Sequence, residues 1–194
     1  HWRMLILGTI AAICTFVVFY LTTVFALNWG TTKLGYSRAD FLKLQLFATL
    51  CFAAFIPLSA IFAEKFGRRA TSIGVCVACA LFGLVFSSML ESGSTLMVFL
   101  FLCTGLALMG MTYGPIGTVL SEIFPTSVRY TGSALTFNLA GIFGASFAPL
   151  IATELASNYG LSAVGYYLTA ASILSLLAFL VIRETKHDDV NNQI

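Results

Sequence analysis

Six long stretches of this chain contain no Asp, Glu, Lys, Arg or His: residues 4–27, 44–63, 70–90, 96–120, 130–153 and 161–182. Each has roughly the 20 residues that a helix needs to cross a hydrocarbon layer about 30 Å thick. A helix at a water-exposed surface would alternate apolar and polar faces, and these runs are apolar on every side. They predict an all-α membrane protein with six transmembrane helices. Composition points the same way. The chain is 59% hydrophobic and 9% charged, with a mean hydropathy of +0.94, whereas about 25% of residues are charged in soluble domains.

Several function classes drop out at this stage. The formal net charge is only +2, and its basic residues are scattered among loops, so no nucleic-acid partner is expected. The five cysteines, Cys14, Cys51, Cys76, Cys79 and Cys103, all fall inside apolar runs. There they act as small hydrophobes rather than as a disulfide framework, and the Cys76-x-x-Cys79 spacing is expected to be packing. The two histidines, His1 and His187, sit at the chain ends, and neither G-x-S-x-G nor H-E-x-x-H occurs. No enzyme activity, metal or cofactor is expected.

Loop charge predicts topology, because short cytoplasmic loops hold the excess of Lys and Arg. With the chain start inside, the cytoplasm receives Arg3, the Lys65, Arg68 and Arg69 cluster, Arg129, Arg183 and Lys186. The outside receives only Lys33, Arg38 and Lys43. Both ends are then cytoplasmic, with residues 183–194 as a tail. The chain opens His1-Trp2-Arg3 and enters its first apolar run at once. That run is too long for a signal-peptide core, and no small-residue cleavage site follows it. The expectation is part of a longer polypeptide, or a truncated product.

Polar and helix-breaking residues inside the runs mark candidate functional positions. The fourth run holds Gly105, Gly110, Gly114, Pro115 and Gly117, with Thr112 and Tyr113 among them. Pro115 removes a backbone donor, so a hinge at Gly110, Gly114 and Pro115 is one reading. Close helix packing through Gly110-x-x-x-Gly114 is the other. Tyr20 and Thr23 share a face of the first run, Gln45 lies near the outer end of the second, and Asn138 lies in the fifth. Hydroxyls and amides left unsatisfied in lipid are costly. Tyr20, Thr23, Gln45, Thr112, Tyr113 and Asn138 are therefore the candidate lining of a substrate pathway, with Gln45 the weakest because it sits near the headgroups. No acid or base lies deep in any run. Such residues normally mark ion and proton pathways, so a coupling carboxylate would have to lie elsewhere.

Three charged segments fall on the cytoplasmic side: Ala63-Glu64-Lys65-Phe66-Gly67-Arg68-Arg69, then 122–132 (EIFPTSVRYTG), then Arg183-Glu184-Thr185-Lys186. Each pairs acid with base at a helix end, as a two-state latch would. Glu64, Arg68, Arg69, Glu122, Arg129 and Glu184 are the candidate gate, with Glu122 expected to pair with Arg68, Arg69 or Arg129.

These segments resemble the C-terminal half of a major facilitator superfamily transporter, in the branch of metabolite:proton symporters. The most specific part of the resemblance is Gly114-Pro115 followed by Glu122-x-Phe124-Pro125-x-x-Val128-Arg129-x-x-Gly132. Gly67-Arg68-Arg69 is similar to the superfamily's D-R-x-G-R-R loop, with Glu64 for Asp, Lys65 for Arg, and Ala60 in the customary Gly position. Arg183 and His187 stand where sugar porters have Pro and Gly, which argues against a sugar porter. The resemblance implies a twelve-helix fold of which residues 1–194 form the C-terminal transmembrane domain. It also implies an N-terminal half as partner, with the proton-coupling acid in that half. In such carriers the first and fourth helices of each half line the cavity and the second and fifth form the interface between halves. The implied activity is symport of a small polar metabolite with protons, by alternating access, across a bacterial inner membrane. A self-contained six-helix interaction or channel protein is the alternative.

Overall fold

The computed structural model describes residues 2–182. Among them are six helices long and apolar enough to cross a membrane: α1 (Trp2–Thr32), α2 (Arg38–Phe66), α3 (Arg68–Leu90), α4 (Thr95–Ile123), α5 (Thr126–Tyr159) and α6 (Leu161–Val181). The described residues contain no strand. Most of these helices run past the apolar stretch that marks them, because a helix leaving hydrocarbon keeps its geometry and loses only the need to be apolar. α2 starts in this way, in polar sequence. The Ser37 hydroxyl caps it by accepting from the Asp40 N–H at 3.1 Å, and Lys43 pairs with Asp40 at 2.9 Å.

Lengthwise packing joins α3 to α6 and α2 to α4, while α1 touches α4, α5 and α6. Between two lipid-immersed helices there is little hydrophobic driving force, so small side chains and hydroxyls hold such pairs together. At the α3–α6 crossing a Cβ on Gly83 would lie 2.6 Å from the Gly165 carbonyl oxygen. Beside it the Thr169 hydroxyl donates to the Ala80 carbonyl at 2.9 Å. α6 also grips α1: the Ser175 hydroxyl donates to the Ile10 carbonyl at 2.7 Å and accepts from the Cys14 N–H at 3.1 Å. It is thus inserted between a donor and an acceptor that an α-helix would pair directly. An aromatic cluster fills part of the core, where Phe86 meets Phe101 edge-on at 4.8 Å and Phe25 and Phe82 close around them.

Two helices contain a wide π turn, α1 at Leu21–Phe25 and α5 at Ile142–Ser146. The α5 turn rests on α1, where a Cβ on Gly144 would come within 2.7 Å of Phe16 Cβ. At the α1 turn Thr22 fills the space left by Gly105 of α4, whose Cβ would fall 2.6 Å from Thr22 Cγ2. α4 itself passes Pro115 without interruption.

Candidate functional site

The charged end of the bundle, where α2 meets α3, is organised by one glycine. Gly67, at φ 96°, is the one residue between α2 and α3 and caps both, a conformation that a side chain would strain. Arg68 and Arg69 therefore occupy the first turn of α3, where the helix dipole is positive and disfavours a cation. Both reach acceptors on other helices. Arg68 forms an ion pair with Glu122. Glu122 stands in the last turn of α4, where the dipole disfavours an anion, so this pair relieves two mismatched helix ends at once. Arg69 donates from Nε to the Phe179 carbonyl at 2.9 Å and from a terminal nitrogen to the Leu180 carbonyl at 2.6 Å. It thereby caps carbonyls that the end of α6 leaves without helical donors.

Beside the ion pair a cleft of about 290 Å³ opens between α2 and α4, with Glu64, Arg68, Gly114, Pro115 and Thr118 among its walls. Gly110 and Gly114 set the spacing of those two helices. A Cβ on Gly110 would lie 2.7 Å from the Phe52 carbonyl oxygen, and one on Gly114 would lie 3.1 Å from the Ile56 carbonyl oxygen and collide with the Ser59 hydroxyl. Both glycines thus serve as packing contacts in this conformation. Glu64 is exposed, and Arg129 is half-buried with its Nε unbonded among the described residues. Glu184 lies outside the described residues. Thr118 was not singled out from sequence, since an isolated Thr near a helix end carries no signal.

The pathway candidates separate. Tyr113 is 44% exposed on the open side of α4, against Phe52 of α2 at 6.1 Å between ring centroids. Asn138 is exposed on α5, its amide donating to the Ala134 carbonyl at 2.8 Å. Tyr20 and Thr23 are half-buried on α1, Tyr20 edge-on to Phe19 and Thr23 donating to the Phe19 carbonyl at 2.7 Å. Thr112, one residue from Tyr113, faces inward: it is buried beside Cys14, Ser72 and Phe179, with its hydroxyl on the Met109 carbonyl at 2.8 Å. Gln45 has a structural partner, since its amide donates to the Thr22 and Thr23 carbonyls at 3.3 and 2.8 Å. The Thr23 carbonyl also accepts from the Ala26 N–H, so Gln45 adds a side-chain donor to carbonyls of the π turn. Among the described residues no hydrogen bond joins one of these six side chains to another.

The fold defines the broad class: a polytopic α-helical protein built to span a membrane. Over residues 4–193 the chain matches the Major Facilitator Superfamily, and it belongs to that family. It is 42% identical over 195 residues to the inner membrane metabolite transport protein YhjE of Escherichia coli, with 98% of this chain and 44% of that protein aligned. A putative metabolite transport protein of Haemophilus influenzae is 37% identical over 98% of this chain and 46% of its own length. The citrate-proton symporter of Klebsiella pneumoniae is 29% identical over 92% of this chain and 40% of its own length. The chain therefore spans less than half the length of these relatives.

Proposed function

We propose that this chain is the C-terminal six-helix half of a secondary transporter that carries a small polar metabolite, together with protons, across the inner membrane. The observation that carries this reading is an asymmetry of burial. In their most apolar windows α2 and α5 bury only 17% and 22% of residues, against 39–50% for the other four helices. Leu46, Phe47 and Leu50 of α2 and Phe143, Phe147 and Leu150 of α5 are left uncovered. These are the two helices that a major facilitator half turns toward its partner half, and the chain's share of its relatives' length leaves room for that half. Tyr20, Thr23, Tyr113 and Asn138 then line the cavity between halves, and Gln45 supports the α1 turn that presents Thr23. Both chain ends are cytoplasmic in this arrangement.

The Arg68–Glu122 pair ties the start of α3 to the end of α4 and serves as one state of the cytoplasmic gate. With the two side chains 34% and 25% exposed, water screens the pair, and its contribution is about 1 kcal/mol. Two states of nearly equal free energy shift several-fold for that amount. Glu64, Arg129 and Glu184 are further members of the gate, exchanging partners as the cavity turns from one side to the other.

Proton coupling rests on the citrate-proton symporter's similarity to this chain. No acid lies deep within the described helices, so the coupling carboxylate belongs to the other half. The test is uptake of a panel of labelled organic acids by cells making the full-length carrier, with and without a protonophore. Accumulation that collapses with the proton gradient supports symport. Accumulation indifferent to the gradient removes proton coupling, and no accumulation of any metabolite removes the transport reading.

A further inference from the structure

Where α1, α3, α4 and α6 meet, the bundle leaves a narrow void of about 10 Å³ walled by Cys14, Thr15, Ser72, Cys76, Thr112 and Phe179, together with apolar groups. That is room for one water-sized sphere. Every one of these residues is at least nine-tenths buried, yet five of the six carry a polar atom.

One hydroxyl there stands apart from its kind. Buried threonines in this protein donate to a carbonyl of their own helix: Thr9 to Leu5, Thr22 to Val18, Thr71 to Gly67, Thr112 to Met109 and Thr136 to Gly132, all at 2.7–2.8 Å. Thr15 is 3% exposed and has no hydrogen-bond partner among the described residues. A hydroxyl on so buried a residue gains from a partner, and this one borders the void. Across the void the hydrogens of the other two hydroxyls are already committed, Ser72 to the Arg68 carbonyl at 2.9 Å and Thr112 to the Met109 carbonyl at 2.8 Å. Their oxygens remain free to accept.

We propose that this void is a binding site for a single water molecule. The water accepts from the Thr15 hydroxyl and donates its two hydrogens to Ser72 Oγ and Thr112 Oγ1. Three hydrogen bonds is the usual complement of an internal water. The wall contains no carboxylate, and an uncompensated cation inside a membrane-spanning bundle is strongly disfavoured, so the occupant is neutral. The water links three helices at a junction where α1 is already held from outside, by Ser175 between Ile10 and Cys14.

The site is tested by nuclear Overhauser transfer from water to threonine methyl groups in the full-length carrier, methyl-labelled and held in lipid nanodiscs. Cross-peaks at the water frequency are expected from Thr15 and Thr112. None is expected from Thr22 and Thr136, which are buried without bordering the void. Thr15 and Thr112 signals no stronger than those controls would overturn the site. The isosteric Thr15→Val gives an independent reading. A bound water that loses its donor should vanish from the Thr112 methyl, and the unfolding temperature should fall. In a dry void the same substitution deletes an unpaired hydroxyl, so an unchanged or raised unfolding temperature also counts against the water.

Discussion

Gly110→Ala adds one methyl group where the backbone of α2 lies close against α4. The new Cβ would lie 2.7 Å from the Phe52 carbonyl oxygen, 3.1 Å from Phe55 Cβ and 3.3 Å from the Ile56 amide nitrogen. The first distance is about 0.7 Å shorter than ordinary van der Waals contact, and overpacking of this kind costs about 1–3 kcal/mol. Two of the three neighbours are backbone atoms of α2, which cannot turn aside as a flexible side chain would, so the upper end of that range applies. Against it stands the helix preference of Ala over Gly, about 1 kcal/mol. The net expectation is a loss of about 2 kcal/mol, or a factor of roughly 30 in the folded-to-unfolded ratio. Gly74 on α3 provides the control, since a Cβ there meets nothing within 4 Å and Gly74→Ala should be neutral or stabilising by up to about 1 kcal/mol. The assay is thermal unfolding of the full-length carrier in detergent, followed by loss of the monodisperse species on size exclusion. Equal midpoints for Gly110→Ala and Gly74→Ala would refute the packing role of Gly110.

Gln45→Leu takes a side-chain donor from the Thr22 and Thr23 carbonyls while Thr23 keeps the Ala26 N–H, for a loss of about 0.5–1.5 kcal/mol in the same unfolding assay. Arg69→Met uncaps two carbonyls of α6 and is expected to cost a similar amount, while Arg69→Lys recovers only part because one ammonium cannot reproduce the guanidinium fork. Glu122→Gln is expected to slow uptake while leaving membrane insertion near normal, because basic loop residues dominate topology. The exchange Arg68→Glu with Glu122→Arg should restore part of the lost rate, and unchanged uptake by Glu122→Gln would leave these residues as anchors only. Tyr113→Cys and Asn138→Cys should react with small aqueous thiol reagents in at least one conformation of the carrier, whereas Thr112→Cys, buried inside the bundle, should stay unreactive.

The six spans are legible in sequence because charge is so strictly confined to the gaps between them. The Arg68–Glu122 cluster is legible for a related reason, since Gly67-Arg68-Arg69 and Glu122 lie at or beyond the ends of apolar runs. Which arginine takes Glu122 is not legible, because it depends on how α3 lies against α4, and a run that is apolar all round carries no pattern to orient it. The same uncertainty separates Thr112 from Tyr113: neighbours on a helix point about 100° apart, and only packing decides which of them meets the bundle. Gly110 and Gly114 suit a hinge and a close approach equally well as sequence. The carbonyls of Phe52 and Ile56 place both glycines in an approach. The π turns at Leu21–Phe25 and Ile142–Ser146 add a residue to a turn without any change in composition, so the supporting role of Gln45 could not be read before the fold was known.

The central claim is that this bundle is one half of a two-part pathway. Its most direct test is uptake by cells producing residues 1–194 alone, the N-terminal half alone, both halves as separate chains, and the full-length carrier. Saturable uptake is expected from the full-length carrier and, in part, from the two halves together, because the uncovered faces of α2 and α5 need their partner. Neither half should transport by itself. Saturable uptake by cells producing only residues 1–194 would contradict the claim and make the bundle a complete transporter.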